Sequence, residues 1–211
     1  MTTTLWLIRH GETAWNAAGR MQGHTDIPLN ETGLEQADML GVRIRAEHQR
    51  QPFGALWVSD LSRARQTAEP ASGFTGLPLL LDPELRERNY GILEGLTRAE
   101  IAEEQPEASS AIKARQVDYQ IPEGESIRQF ADRVDRVLRG IAHRHPGQQV
   151  LVVCHGGVLD IAWRLATGQG LEKVRDHTLL NASINQIAFD GHAFSMINWG
   201  DVSHLDPGIL E

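Results

Sequence analysis

The sequence predicts an α/β protein, a three-layer sandwich with a mostly parallel central sheet and a C-terminal antiparallel hairpin. Three observations carry this. Short apolar runs alternate with segments of helical period along most of the chain, the pattern of a sheet covered by helices on both faces. Two of the runs, "LWLI" and "VLVVC", are continuously apolar, as strands buried on both faces must be. Near the C-terminus, "INQIAFD" and "FSMINW" flank Asp190-Gly191, a turn pair that joins antiparallel strands.

Taken in order, Leu5 to Ile8 reads as a buried strand, and a polar loop from Gly11 to about Asn30 follows. Thr32 and Glu35 have capping-box spacing, ahead of a helix over Gly33 to Glu47 with Leu34, Ala37, Leu40 and Ile44 on one face. Ala55 to Ser59 is a second strand. Ser62 is placed to cap a helix that Pro70 should stop after Glu69. Leu77 to Asp82 is a third strand. Arg98 to Glu104 is helical and ends before Pro106; residues 107–123 show no clear period. Leu96 to Pro122 therefore reads as a lid-like insertion in a single domain spanning 1–211. Ser126 caps the most regular helix, with Ile127, Phe130, Ala131, Val134, Val137, Leu138 and Ile141 in phase, and Pro146-Gly147 ends it. The strand "VLVVC" then runs into His155-Gly156-Gly157, and a helix from Val158 to about Thr167 precedes the hairpin. The polar tail from Ser203 to Glu211 is expected to fray.

Composition narrows the function. The chain has 211 residues, a net charge of −8 and one cysteine, Cys154. The acidic balance argues against sequence-independent nucleic-acid binding. A lone cysteine forms no intrachain disulfide and fits a reducing, cytoplasmic setting. No run approaches the 18 apolar residues of a membrane span.

In open α/β sheets ligands bind beyond the carboxyl ends of the parallel strands. Arg9 and His10 stand at the first such end, Arg63 beyond the second, Glu87 beyond the third, and His155 beyond "VLVVC". Two guanidiniums with helix N-terminal amides suit a compact dianion such as phosphate. A neutral imidazole can attack phosphorus, a second can stabilise the transition state, and a carboxylic acid can protonate the leaving alkoxide. This scheme uses no metal and no cofactor. Arg65 serves as well as Arg63 on composition alone.

The segments "LIRHGETAWN", "SDLSRARQTA", "LRERNYGILEGL" and "VVCHGG" together resemble the histidine phosphatase superfamily, also called the phosphoglycerate mutase-like family, over essentially the whole chain. The resemblance implies that fold and a phosphohistidine mechanism. It implies His10 as nucleophile, Arg9 and Arg63 as phosphoryl clamp, His155 as completing the pocket and Glu87 as proton donor. It also implies Asn16, Gln22 and Gly23 as phosphoryl or entrance contacts. Arg88, Tyr90, Arg98 and Gly156 are further substrate-side candidates, with Lys113 and Arg115 as additional cations near the insertion and Trp15 as a stacking surface. A homodimer is common in the resembled family.

The short insertion, the absence of a proline run and of paired arginines near Arg115, and Glu94 before Gly95 favour a phosphatase acting on a small phosphate ester. The alternatives are a cofactor-dependent phosphoglycerate mutase and a ribazole phosphate phosphatase. Two other classes compete. A metal hydrolase would use His10, His24 and His155, which Arg9 disfavours. A silent binding module would lack one of the reactive groups, and all are present.

Overall fold

The computed structural model describes residues 1–209. Its single six-stranded sheet has the order β3-β2-β4-β1-β5-β6. The strands are β1 (Thr3–Arg9), β2 (Phe53–Val58), β3 (Leu79–Leu81), β4 (Gln149–Cys154), β5 (Ile184–Phe189) and β6 (Phe194–Asp201). The first four run parallel, and β5 and β6 form the antiparallel end beside β1. Helices are α1 (Ala14–Ala17), α2 (Glu31–Arg50), α3 (Ser62–Thr75), α4 (Arg98–Glu104), α5 (Pro106–Lys113), α6 (Ile127–Arg144) and α7 (Gly156–Thr167).

Strand alternation builds the three layers. Leu5 and Leu7 of β1, with Val150, Val152 and Cys154 of β4, pack under α6 and α7. Trp6, Ile8, Leu151 and Val153 point the other way, onto α2 and α3. Each such aliphatic side chain, fully buried, contributes about 1.5–3 kcal/mol. A third apolar cluster, around Leu93, Ile101, Ala108 and Ile121, lies under α4 and α5.

Several local expectations are corrected. The cap of α2 is Asn30, whose side chain accepts the Gly33 N–H, so Thr32 and Glu35 fall inside the first turns. Ser62 is likewise the first residue of α3 and not its cap. Its N–H and hydroxyl both donate to Asp26, which caps the helix from a distant loop. Pro70 lies inside α3, which continues to Thr75. An interior proline costs about 3 kcal/mol in an isolated helix. Here a Cβ on Gly41 of α2 would come within 2.7 Å of the Pro70 ring, so the bare Gly41 is what lets the two helices close on it. The third strand is only three residues long. The stretch without clear period contains α5, which Pro106 starts at its first turn. Helix α7 begins at Gly156, two residues before Val158. The tail is anchored as far as Ile209, whose carbonyl accepts Gln36 Nε2, and Leu205 is buried. Positions 210 and 211 of that tail lie outside the described residues. No helix among the described residues is long and apolar enough to cross a membrane.

Candidate active site

Strand register brings the reactive groups together. Arg9 of β1 pairs with Cys154 of β4, so the next residues, His10 and His155, emerge side by side. The His10 N–H donates to the Cys154 carbonyl at 3.0 Å. On the other side of β4, Val58 pairs with Val153, which sets Ser59 beside the same edge. The two imidazole centroids are 5.1 Å apart, with planes inclined at 58°.

His10 is buried, and its Nδ1 lies 2.7 Å from the Gly11 carbonyl. A carbonyl only accepts, so Nδ1 carries the proton and Nε2 keeps its lone pair. Burial foremost, then the charges of Arg63 and Arg9, hold the His10 pKa well below the ordinary histidine value. Asn181 Nδ2 and the Ala182 N–H both donate to the His10 carbonyl. Ala182 reaches it with φ of 54°, a left-handed conformation that costs an L-residue about 1–2 kcal/mol. Gly11 and Gly33 meet backbone to backbone, and a Cβ on Gly33 would lie 2.0 Å from the Glu12 carbonyl.

His155 is fully buried. Its Nδ1 accepts from Arg63 Nε at 3.3 Å, so Nε2 carries the proton and donates to Ser59 Oγ at 2.8 Å. Burial and the neighbouring Arg63 depress its pKa well below the usual range. Arg63 has no exposed surface. Its Nη1 donates to the Thr25 carbonyl at 2.9 Å and its Nη2 to the Gly23 carbonyl at 2.8 Å. Arg9 donates through Nη1 to the Leu179 carbonyl, while its buried Nε has no partner. Burial lowers its pKa to about 10, against a raising influence of Glu87, so it remains a cation at neutral pH.

Glu87 enters from the loop before Tyr90. Its Oε1 accepts the Arg88 N–H at 2.8 Å and its Oε2 the Gly157 N–H at 2.9 Å, at the N-terminus of α7. A cavity of about 440 Å³ is lined by Arg9, Glu87, Gly156 and Gly157 and by Arg88, Tyr90, Asp160 and Arg175. A second cavity of about 490 Å³ shares Arg88, Tyr90, Asp160 and Arg175 and adds Arg98 and Lys113.

The remaining expected contacts sort unevenly. Gly156 and Tyr90 line the inner cavity, and burial pushes the Tyr90 phenol pKa up. Arg88 lines both, but its Nε and Nη2 are engaged by the Glu125 carbonyl. Arg98 lines only the second cavity, because it heads α4. Arg115 pairs with Asp160 at 3.0 Å and donates to the Leu171 carbonyl. Asn16 uses Oδ1 within its own turn, accepting from the Thr13 N–H and hydroxyl. Gln22 is buried with Oε1 unpartnered. Gly23 contributes its carbonyl to Arg63. Trp15 packs against Gly95, and His24 Nε2 donates to the Glu87 carbonyl.

Sequence reasoning passed over Ser59, Asn181, Arg133 and Arg175. Arg133 left one signal: a cation beside Val134 on the otherwise apolar face of α6. Its guanidinium donates to both Glu125 carboxylate oxygens and to the carbonyls of Glu84, Arg86 and Glu87, holding the Glu87 loop from beneath.

Residues 5–202 match the histidine phosphatase superfamily (branch 1). The chain is 42% identical over 213 residues to a protein of Arabidopsis thaliana named metal-independent phosphoserine phosphatase, covering 99% of this chain and 86% of that one. It is 32% identical to a probable phosphoglycerate mutase GpmB of Yersinia pestis, covering 98% and 97%. Among solved structures, Bacillus stearothermophilus YhfR superposes with a TM-score of 0.87 at 35% identity, covering 96% of this chain and 98% of that one.

Proposed function

Because the chain belongs to the histidine phosphatase superfamily, branch 1, we propose that its strand-end pocket hydrolyses phosphate monoesters through a phosphohistidine at His10. One observation carries the assignment. His10 Nε2 holds a free lone pair on a neutral imidazole, buried within the fields of Arg9 and Arg63.

The steps follow from that geometry. The His10 Nε2 lone pair attacks phosphorus, the P–N bond forms, and the bond to the ester oxygen breaks. Glu87, as the carboxylic acid, gives its proton to the leaving alkoxide. Glu87 then takes a proton from water as the water oxygen attacks phosphorus, and the P–N electron pair returns to Nε2. Arg9 and Arg63 balance the phosphoryl charge, and the unpartnered Arg9 Nε is a donor that an oxyanion would satisfy. His155 completes the pocket by accepting Arg63 Nε–H at its Nδ1, which steadies the clamp guanidinium. The Gly11 carbonyl stabilises the phosphoimidazolium by accepting from Nδ1.

The substrate is a small phosphate ester. The name of the Arabidopsis relative puts phosphoserine first among candidates. The arginines of the inner cavity suit an ester bearing a carboxylate. The segment 96–122 acts as a lid over the second cavity, which Arg98 and Lys113 line. A reducing cytoplasm suits the buried, free Cys154.

The test is turnover of p-nitrophenyl phosphate, phosphoserine and 3-phosphoglycerate, the last with and without a bisphosphorylated primer. Released phosphate without primer is expected, together with an acid-labile phosphoprotein that His10→Ala abolishes. An unchanged rate in that variant refutes the nucleophile assignment, and primer-dependent isomerisation without phosphate release makes the enzyme a mutase.

A further inference from the structure

The Glu94 carboxylate accepts four hydrogen bonds and touches none of the reacting groups. Oε1 takes the N–H of His24 at 2.8 Å and of Tyr90 at 3.1 Å. Oε2 takes the Thr25 N–H at 2.9 Å and the Thr25 hydroxyl at 2.6 Å. A Cβ on Gly23 would lie 1.9 Å from Oε1, so only glycine admits the carboxylate there. Gly23 also has φ of 55°, which turns the loop back on itself.

The same loop presents its carbonyls in the opposite direction. The Gly23 and Thr25 carbonyls hold the two Nη atoms of Arg63. One peptide unit does both jobs at once: its N–H belongs to His24 and faces Glu94, and its C=O belongs to Gly23 and faces Arg63. A carboxylate accepting the N–H polarises the peptide and makes the carbonyl a stronger acceptor. Glu94 and Arg63 thus form an ion pair relayed through a peptide plane. The guanidinium is held from behind, and each Nη keeps a second N–H for another acceptor.

We propose that Glu94 is the positioning residue of the phosphoryl clamp, orienting Arg63 through the Gly23–His24 peptide without touching the substrate. The proposal rests on the phosphohistidine reading above. The residue was noticed in sequence only for its place before Gly95. Its alternative is a plain loop staple, which would stabilise the fold without bearing on Arg63.

A double-mutant cycle separates the two, read as orthovanadate affinity by calorimetry and as kcat/KM on p-nitrophenyl phosphate, with melting temperatures alongside. Misplacing a clamp by about 1 Å costs about 10²-fold, so Glu94→Ala should weaken both readouts by about that factor. Glu94→Gln keeps one acceptor oxygen for His24 and Tyr90 but sets an amide against the Thr25 N–H; an intermediate loss of about 10-fold is expected. In an Arg63→Ala background the Glu94 substitutions should add no more than about 2-fold, the scatter of uncoupled sites. Losses that multiply in full, or unchanged vanadate affinity in Glu94→Gln, overturn the proposal. If Glu94→Ala does not fold, the glutamine variant carries the cycle. Parallel assays of His10→Ala keep the readings apart: retained turnover there defeats the mechanism itself, whereas multiplying losses with an inactive His10→Ala defeat only the role of Glu94.

Discussion

Replacing Gly157 with alanine should disconnect Glu87, the proposed proton donor, while leaving His10 alone. The added methyl would lie 2.0 Å from Glu87 Oε1 and 3.0 Å from its Cδ, well inside contact distance. The clashing atom is the end of a flexible side chain, so Glu87 yields and the backbone stays. Moving Oε1 breaks the bond it accepts from the Arg88 N–H and strains the one that Oε2 accepts from the Gly157 N–H. Phe130 Cε1, also 3.0 Å from the added methyl, must give way by a few tenths of an ångström. Stability should fall by about 0.5–2 kcal/mol. Alanine gains up to about 1 kcal/mol of helix propensity in α7, which offsets part of the roughly 1.5–3 kcal/mol carried by a charged hydrogen bond. Catalysis should change selectively. An alkyl phosphate has a strongly basic leaving group and needs the acid, so kcat should fall by about 10²-fold or more, within the range for general acids. The p-nitrophenolate group leaves without a proton, and its rate of phosphoenzyme formation should stay within about threefold of wild type on the same principle. Stopped-flow phosphoenzyme formation on both esters, with Glu87→Gln as reference, measures this. Equal losses on the two esters, or full activity on the alkyl ester, would refute the placement of the donor between Arg88 and Gly157.

Two further outcomes are expected. Arg63→Ala leaves the Gly23 and Thr25 carbonyls without their donor, so inhibition by phosphate or vanadate should weaken at least tenfold and the melting temperature should drop; unaltered inhibition would move the clamp to another cation. His10 and His155 both have folded-state pKa values depressed below 6.5, so their contribution to stability is present above about pH 6.5 and lost as pH falls, when only the unfolded chain takes up the protons. Two such groups give a slope of up to about 2.7 kcal/mol per pH unit below 6.5; His10→Gln should remove about half of it in urea titrations at pH 6.5 and 5.5, and an unchanged slope would mean that His10 already titrates normally in the folded chain.

How much of this was legible differs by element. Strands β1 and β4, helix α6 with its Ser126 cap, and the hairpin of β5 and β6 could be read because each carries its own period, cap or turn pair. Pro70 misled because its cost in an isolated helix is real, whereas the close approach of α2 at the bare Gly41, which packs against it, leaves no mark in the local sequence. Helix α5 was missed because its buried residues, Ala108, Ser109 and Ala111, are small and carry little apolar signal. Ser62 looked like a cap because the true one, Asp26, lies 36 residues earlier.

The same division holds in the active site. By itself the sequence determined which reactive groups exist and at which strand ends they emerge, since apolar runs that stop at His10 and His155 can be read from one dimension. Tertiary structure alone decided which carbonyls steady Arg63, and that Arg133 and Glu94 serve the site from behind. Those facts depend on register between strands and on hydrogen bonds between segments tens of residues apart. No local pattern encodes such a bond, because neither partner needs its neighbour in sequence to make it.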